Sequence, residues 1–148
     1  MSTRGHIFIN YKNKNEQQSR LHLFGYHDFY QSAVIPIIKE AITLTKEDLK
    51  LVAVVNDSAV VAKLLFSNII VSDKDGMVVV DEGEWVCDYV YFVDIEKESE
   101  SFDYMVRCYD VCYTRGKKTG VPWYKLYELP DAYEILEEEF ALKKAEKY

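Results

Sequence analysis

The stretch that decides the fold is Tyr26-His27-Asp28-Phe29-Tyr30-Gln31-Ser32-Ala33-Val34-Ile35-Pro36-Ile37-Ile38-Lys39-Glu40-Ala41. It sets polar and aromatic residues directly ahead of an apolar run, the pattern of a strand-to-helix junction. Asp28, followed three residues later by Gln31, has the spacing of a capping box, in which each side chain satisfies a backbone N–H of the first turn. A helix is therefore predicted to start here. Val34, Ile37, Ile38, Ala41 and Ile42 recur at spacings of three and four and form its core face. Pro36 lacks an N–H and crowds the carbonyl four residues back, so a kink or a looser first turn is expected.

Upstream, Gly5 to Tyr11 alternates, with Ile7, Ile9 and Tyr11 on one side and His6, Phe8 and Asn10 on the other. After a polar loop, Arg20 to Tyr26 alternates again around Leu21 and Leu23, which predicts a hairpin. Its second face would carry Arg4, His6, His22, Phe24 and Tyr26.

Downstream, Thr45 and Asp48 read as a second helix start, and 46–56 can be read as helix or strand. Ser58 to Phe66 is helical, capped by Asp57, with Val61, Leu64 and Leu65 inward. Asn68–Ser72 and Met77–Asp81 flank Asp73-Lys74-Asp75-Gly76 and read as a hairpin. Asp88 to Ile95 and Phe102 to Asp110 are strands joined by a charged turn, and Val121 to Tyr127 is a last strand. Pro130 and Asp131 open a C-terminal helix that carries Ile135, Leu136, Phe140 and Leu142 and runs on to Lys147. The expectation is one α+β domain over 1–148, a mainly antiparallel sheet of about five to seven strands packed by about two to four helices, the C-terminal one included.

At 148 residues and 49% hydrophobic content the chain can bury a single core. Its net charge of −7 argues against general binding to nucleic-acid backbones, which need clustered cations. Cys87, Cys108 and Cys112 are odd in number and lack Cys-x-x-Cys spacing, so neither a disulfide framework nor a four-cysteine zinc site is indicated. No signal-peptide core and no apolar run approaching ~20 residues is present, so a soluble cytoplasmic protein without membrane association is expected.

Tyr26, His27, Asp28 and Tyr30 gather where a helix N-terminus favours an anion, although a capping Asp28 would itself occupy the N–H groups. Arg4 and His6 lie on the hairpin face leading to that point. Arg115 and Lys117, in Arg115-Gly116-Lys117-Lys118-Thr119-Gly120, could hold a phosphate. That loop is not a Walker A motif, since Lys118 stands where Ser or Thr is required and Val111 where the first glycine belongs. Nothing brings His6, His22 and His27 together with Cys108 and Cys112, so no metal or cofactor is assigned. His27 and Asp28, read as strand neighbours, would point to opposite faces. An N-terminal Ser2 or Thr3 nucleophile lacks an identified base. No catalytic residue is assigned.

The opening Met1-Ser2-Thr3-Arg4-Gly5-His6-Ile7, the junction Asp28 to Pro36 and Asp88-Tyr89-Val90-Tyr91-Phe92-Val93-Asp94 together resemble small phage and prophage proteins of undefined function. Those begin Ser-Thr-Arg-(Gly/Ala)-x-Ile, carry His-x-Asp-Gly-Tyr-Pro before a helix and later show Tyr-(Val/Leu)-Tyr-x-(Val/Ile)-Asp. This chain departs from the pattern at Tyr26, Phe29 and Gln31, where that family has His, Gly and Pro. The resemblance implies a phage or mobile-element origin and a host-takeover or counter-defence role. With 12 tyrosines and an acidic surface, the expectation is a non-catalytic binding protein that engages a host protein. Two other readings stay open: a small nucleotide-like ligand held by Arg4, His6, Tyr26 and Asp28 with Arg115 or Lys117, and a small hydrolase. A homo-oligomer is compatible with any of them.

Overall fold

The computed structural model describes residues 3–51, 57–81, 88–98, 101–110 and 146–147. Strands β1 (Gly5–Lys12) and β2 (Gln18–Gly25) form the expected hairpin, in register from Gly5↔Gly25 to Lys12↔Gln18. Helices α1 (Gln31–Lys50) and α2 (Ser58–Ser72) follow, then the short β3 (Val78–Val79). A second hairpin, β4 (Tyr89–Glu98) and β5 (Ser101–Asp110), joins edge-on, and β6 (Glu146–Lys147) pairs with β5. Among the described residues the sheet order is β3-β2-β1-β4-β5-β6, with β1 and β4 paired parallel and the other neighbours antiparallel. The chain is an α+β domain built on a mostly antiparallel sheet.

Alternation decides which side chains meet the helices. Ile7, Ile9, Leu23, Tyr91, Val93, Tyr104, Val106 and Cys108 share the sheet face that packs against Val34, Ile38, Ala41 and Ile42 of α1 and Val61, Ala62, Leu65 and Ile69 of α2. Asp57 caps α2 as expected, its carboxylate accepting from the Ala59 N–H at 2.9 Å. The opposite sheet face carries His6, Phe8, Asn10, Phe24, Val90 and Phe92, which are also buried but stand apart from the helix-packed cluster.

Four expectations are corrected. Asp28 does not cap α1: the N-cap is Tyr30, with no side-chain hydrogen bond, and Asp28 sits before it at φ 52°. Thr45 and Asp48 do not start a helix, because α1 runs through them to Lys50 with Pro36 inside it. Their side chains instead clasp α2. Asn68 Nδ2 donates to Thr45 Oγ1 and to Asp48 Oδ2, both at 3.0 Å, while the Thr45 hydroxyl donates to the Ala41 carbonyl.

The hairpin around 73–76 is absent as well, since Asn68 to Ser72 is the last turn of α2. Asp73 ends that helix, and its carboxylate accepts from the N–H groups of Met77 and Val78 at 3.0 and 2.7 Å, turning the chain into β3. Lys147, expected late in a C-terminal helix, is paired with Met105 in β6. The remainder of that helix, the Val121 to Tyr127 strand and residues 52–56 lie outside the described residues. Among the described residues no helix is long and apolar enough to cross a membrane.

Candidate functional site

The junction between β2 and α1 is built on a close approach of ring to backbone. Gly5 and Gly25 are paired directly across the hairpin, and the buried Phe29 ring lies against both. A Cβ on Gly25 would come within 2.0 Å of that ring, and one on Gly5 within 2.5 Å of both the ring and the Tyr89 carbonyl. Only glycine permits this contact. The Phe29 backbone is tied too: its N–H donates to the Thr3 carbonyl at 3.2 Å, and its carbonyl accepts from the buried Tyr91 hydroxyl at 2.8 Å. The Phe29 ring meets Tyr91 edge to face at 5.6 Å.

With Phe29 held inward, the residues around it are thrown outward. Asp28 takes the left-handed conformation that lets the chain enter this pinned position, which Asp tolerates better than most residues. Its side chain is 76% exposed, and Tyr26 and Tyr30 are 46% and 49% exposed. The Tyr26 ring abuts His27 edge-on at 4.7 Å, and Tyr30 approaches Tyr89 at 6.2 Å. His27 and Asp28 are not strand neighbours on opposite faces, as the sequence suggested: the turn brings His27 Nδ1 to 3.4 Å from Asp28 Oδ2. Four of the proposed site residues, Tyr26, His27, Asp28 and Tyr30, thus form one exposed turn.

Of the others, Arg4 lies beside this turn and His6 on the second sheet face. The Arg4 N–H donates to Asp88 Oδ2 at 3.0 Å, and its carbonyl accepts from the Asp88 and Tyr89 N–H groups, so Arg4 stitches β1 to β4 beside the turn. His6 is buried on the second sheet face, where its Nδ1 lies 2.7 Å from His22 Nε2. One of these rings donates and the other accepts, so the bond needs a neutral ring. Burial, reinforced by the Arg20 charge and opposed by Asp81, pushes the His22 pKa down to about 4. Arg115 and Lys117 lie outside the described residues.

Sequence reading placed His6, Phe8, Asn10, His22 and Phe24 on that second face but missed the layer they build there with Arg20, Phe92, Asp94 and Arg107. Phe8 stacks on His22 at 4.6 Å and on Phe92 at 5.5 Å. The Arg20 guanidinium lies over Phe8 at 4.9 Å and that of Arg107 over Phe92 at 5.1 Å, within cation–π range. A hydrogen-bonded row crosses the sheet beside the rings: Arg20 Nε donates to Asn10 Oδ1, Asn10 Nδ2 to Asp94 Oδ1, and Arg107 Nε to Asp94 Oδ2, at 2.7, 2.8 and 2.9 Å. The signal was present in Arg20, Asp94 and Arg107, charged residues at alternating strand positions. Only the register shows that they meet. Among the described residues no cluster of three or more His, Cys, Asp or Glu side chains is placed to hold a metal.

Comparison with family models, with curated proteins and with solved structures gives no match.

Proposed function

We propose that this chain is a non-catalytic binding protein of phage type that engages a host protein through the Tyr26 to Tyr30 turn. The observation that supports this most is the pairing of half-exposed tyrosines with a backbone pinned by the buried Phe29. Tyrosine offers large apolar area with a polar tip at low entropic cost, and is enriched among the residues that dominate interface energies. A turn already ordered before contact loses little freedom on binding. The net charge of −7 suits a basic partner surface, to which it would steer association.

The test is affinity capture from host lysate at low and physiological salt, with Tyr26→Ala/Tyr30→Ala protein as the control. A specific partner retained by the natural chain and lost by the variant is expected. Loss of two anchors worth about 2 kcal/mol each would weaken binding by about 30-fold for either one alone and on the order of 1,000-fold for both together. Recovery of no specific partner even at low salt, or equal capture by both proteins, overturns the reading.

A further inference from the structure

At the end of the sheet opposite the turn, the central strands part. β1 stays paired with β2 as far as Lys12↔Gln18, and β4 with β5 as far as Glu98↔Ser101, yet β1 and β4 pair only to Asn10↔Asp94. The two hairpins therefore diverge into a cleft of about 1290 Å³. Lys12 and Asn13 line one wall, Ile95 and Lys97 the other, and Ser58 at the start of α2 also borders it.

Backbone direction follows from alternation. The Tyr89 N–H donates to the Arg4 carbonyl, on the β1 side of β4. Every second residue along the strand faces the same way. Beyond the last β1 pair, the Ile95 carbonyl and the N–H and carbonyl of Lys97 therefore point into the cleft, and no described strand pairs with them there. Interior ladder groups of this kind are templates for a further strand.

The facing wall is well ordered. Asn13 Oδ1 accepts from the N–H groups of Asn15 and Gln17 at 3.0 and 3.1 Å, closing the β1–β2 loop, and Glu16 takes a positive φ of 61° within it. The volume exceeds the ~300–1,000 Å³ usual for small-molecule pockets and suits a length of chain. Charge points the same way. Among the described lining residues, Lys12 pairs with Glu16 at 4.0 Å, Lys14 with Asp57 at 3.9 Å and Arg107 with Asp94 at 2.8 Å, so these cations are already neutralised within the wall, which disfavours a polyanion and leaves backbone pairing as the means of recognition.

We propose that the cleft receives an extended peptide segment of a partner protein, which adds as a strand to β4 at Ile95 and Lys97 between the parted hairpins. The inference is independent of the Tyr26 to Tyr30 turn. It is tested by panning a displayed library of random linear decapeptides on the full chain. A selected peptide is then titrated, by fluorescence anisotropy, against natural, Lys97→Pro and Ser58→Trp proteins. Lys97→Pro deletes the N–H that faces the cleft, whereas Ser58→Trp narrows the space.

Each variant is expected to bind at least about tenfold more weakly, and N-methylation of alternate peptide amides to weaken binding to the natural chain by about tenfold. The Tyr26→Ala/Tyr30→Ala protein should bind the peptide unchanged, which separates this site from the turn. Melting curves identify any variant that is misfolded; should Lys97→Pro be one, Ser58→Trp and the N-methylated peptides decide. Failure to select any peptide, or equal binding to natural and Ser58→Trp proteins with no effect of N-methylation, overturns the proposal.

Discussion

The two ends of one sheet solve opposite problems. At the Gly5–Gly25 end the ladder is closed by packing: a ring fills the space that two absent side chains leave, and the backbone cannot shift without losing it. At the Lys12–Gln18 end the β1–β4 ladder runs out after Asn10↔Asp94, and among the described residues no strand pairs with the β1 side of β4 beyond it. The closed end displays side chains on a rigid backbone. The open end displays the backbone itself. The two proposed modes of recognition, by side-chain anchors and by strand addition, would thus fall at opposite ends of a single pair of parallel strands.

The largest expected effect comes from breaking the closed end. Phe29→Ala should cost about 3–5 kcal/mol, the usual range for a buried aromatic, read as a shift in urea midpoint. Gly25→Ala should cost about 1–3 kcal/mol by overpacking against that ring. The double variant should be less destabilised than the sum, since removing the ring removes the clash; additive costs would mean that ring and glycine are not coupled.

At the open end, Arg107→Met would leave the Asp94 carboxylate with Asn10 Nδ2 but without its guanidinium. The pair lies 2.8 Å apart and is 11% and 23% exposed on its two sides. A loss of roughly 2 kcal/mol is expected in the same denaturation experiment. Changing Asp94 and Arg107 together to Asn and Met should recover part of it, because no unpaired charge then remains.

The layer between the two ends should report on pH. The folded pKa of His22 is depressed to about 4 from an ordinary 6.5, so unfolding takes up a proton between those values. Its contribution is therefore complete above pH 6.5 and is lost as pH falls towards 4. Allowing for the partial exposure of the ring, the loss is on the order of 2 kcal/mol. Urea midpoints at pH 7 and 4.5 should show it, and the same comparison in His22→Gln should be flatter by that amount.

The smallest effect sharpens the functional side of the comparison. Asp28→Gly removes a side chain from a positive-φ position, a gain of up to about 0.5 kcal/mol after the added freedom of the unfolded chain is set against it. A variant that melts no lower yet captures less partner would separate the role of the carboxylate from the stability of the turn. An unchanged capture would leave the tyrosines as the anchors.

The elements that were legible in the sequence are those whose cause is local. Both hairpins followed from alternation at Gly5 to Tyr11, Arg20 to Tyr26, Asp88 to Ile95 and Phe102 to Asp110, and the start of α2 from Asp57. The errors fell where a distant contact redirected a local signal. Asp28 had the spacing of a cap, but pinning Phe29 between two strands placed Asp28 before the helix in a left-handed conformation. Asn68 to Ser72 is rich in β-branched residues, and α2 is apolar around most of its circumference, so no period marked it as helix. Burial of Ile69 and the bonds from Asn68 to α1 keep it helical.

Of the candidate site, the turn from Tyr26 to Tyr30 could be named in advance because its residues are consecutive. The Arg20–Asn10–Asp94–Arg107 row could not, since its members come from four strands and meet only through register.

By itself the sequence determined the class of the fold, the two hairpins and the identity of the turn, since these depend on the period of side chains along short stretches. Tertiary structure alone decided that β1 lies parallel beside β4, that the two strands separate after Asn10↔Asp94, and that Phe29 rests on paired glycines. Strand order and the point at which a ladder ends depend on which distant segments win the competition for the same backbone donors and acceptors. No local pattern of residues encodes the outcome of that competition.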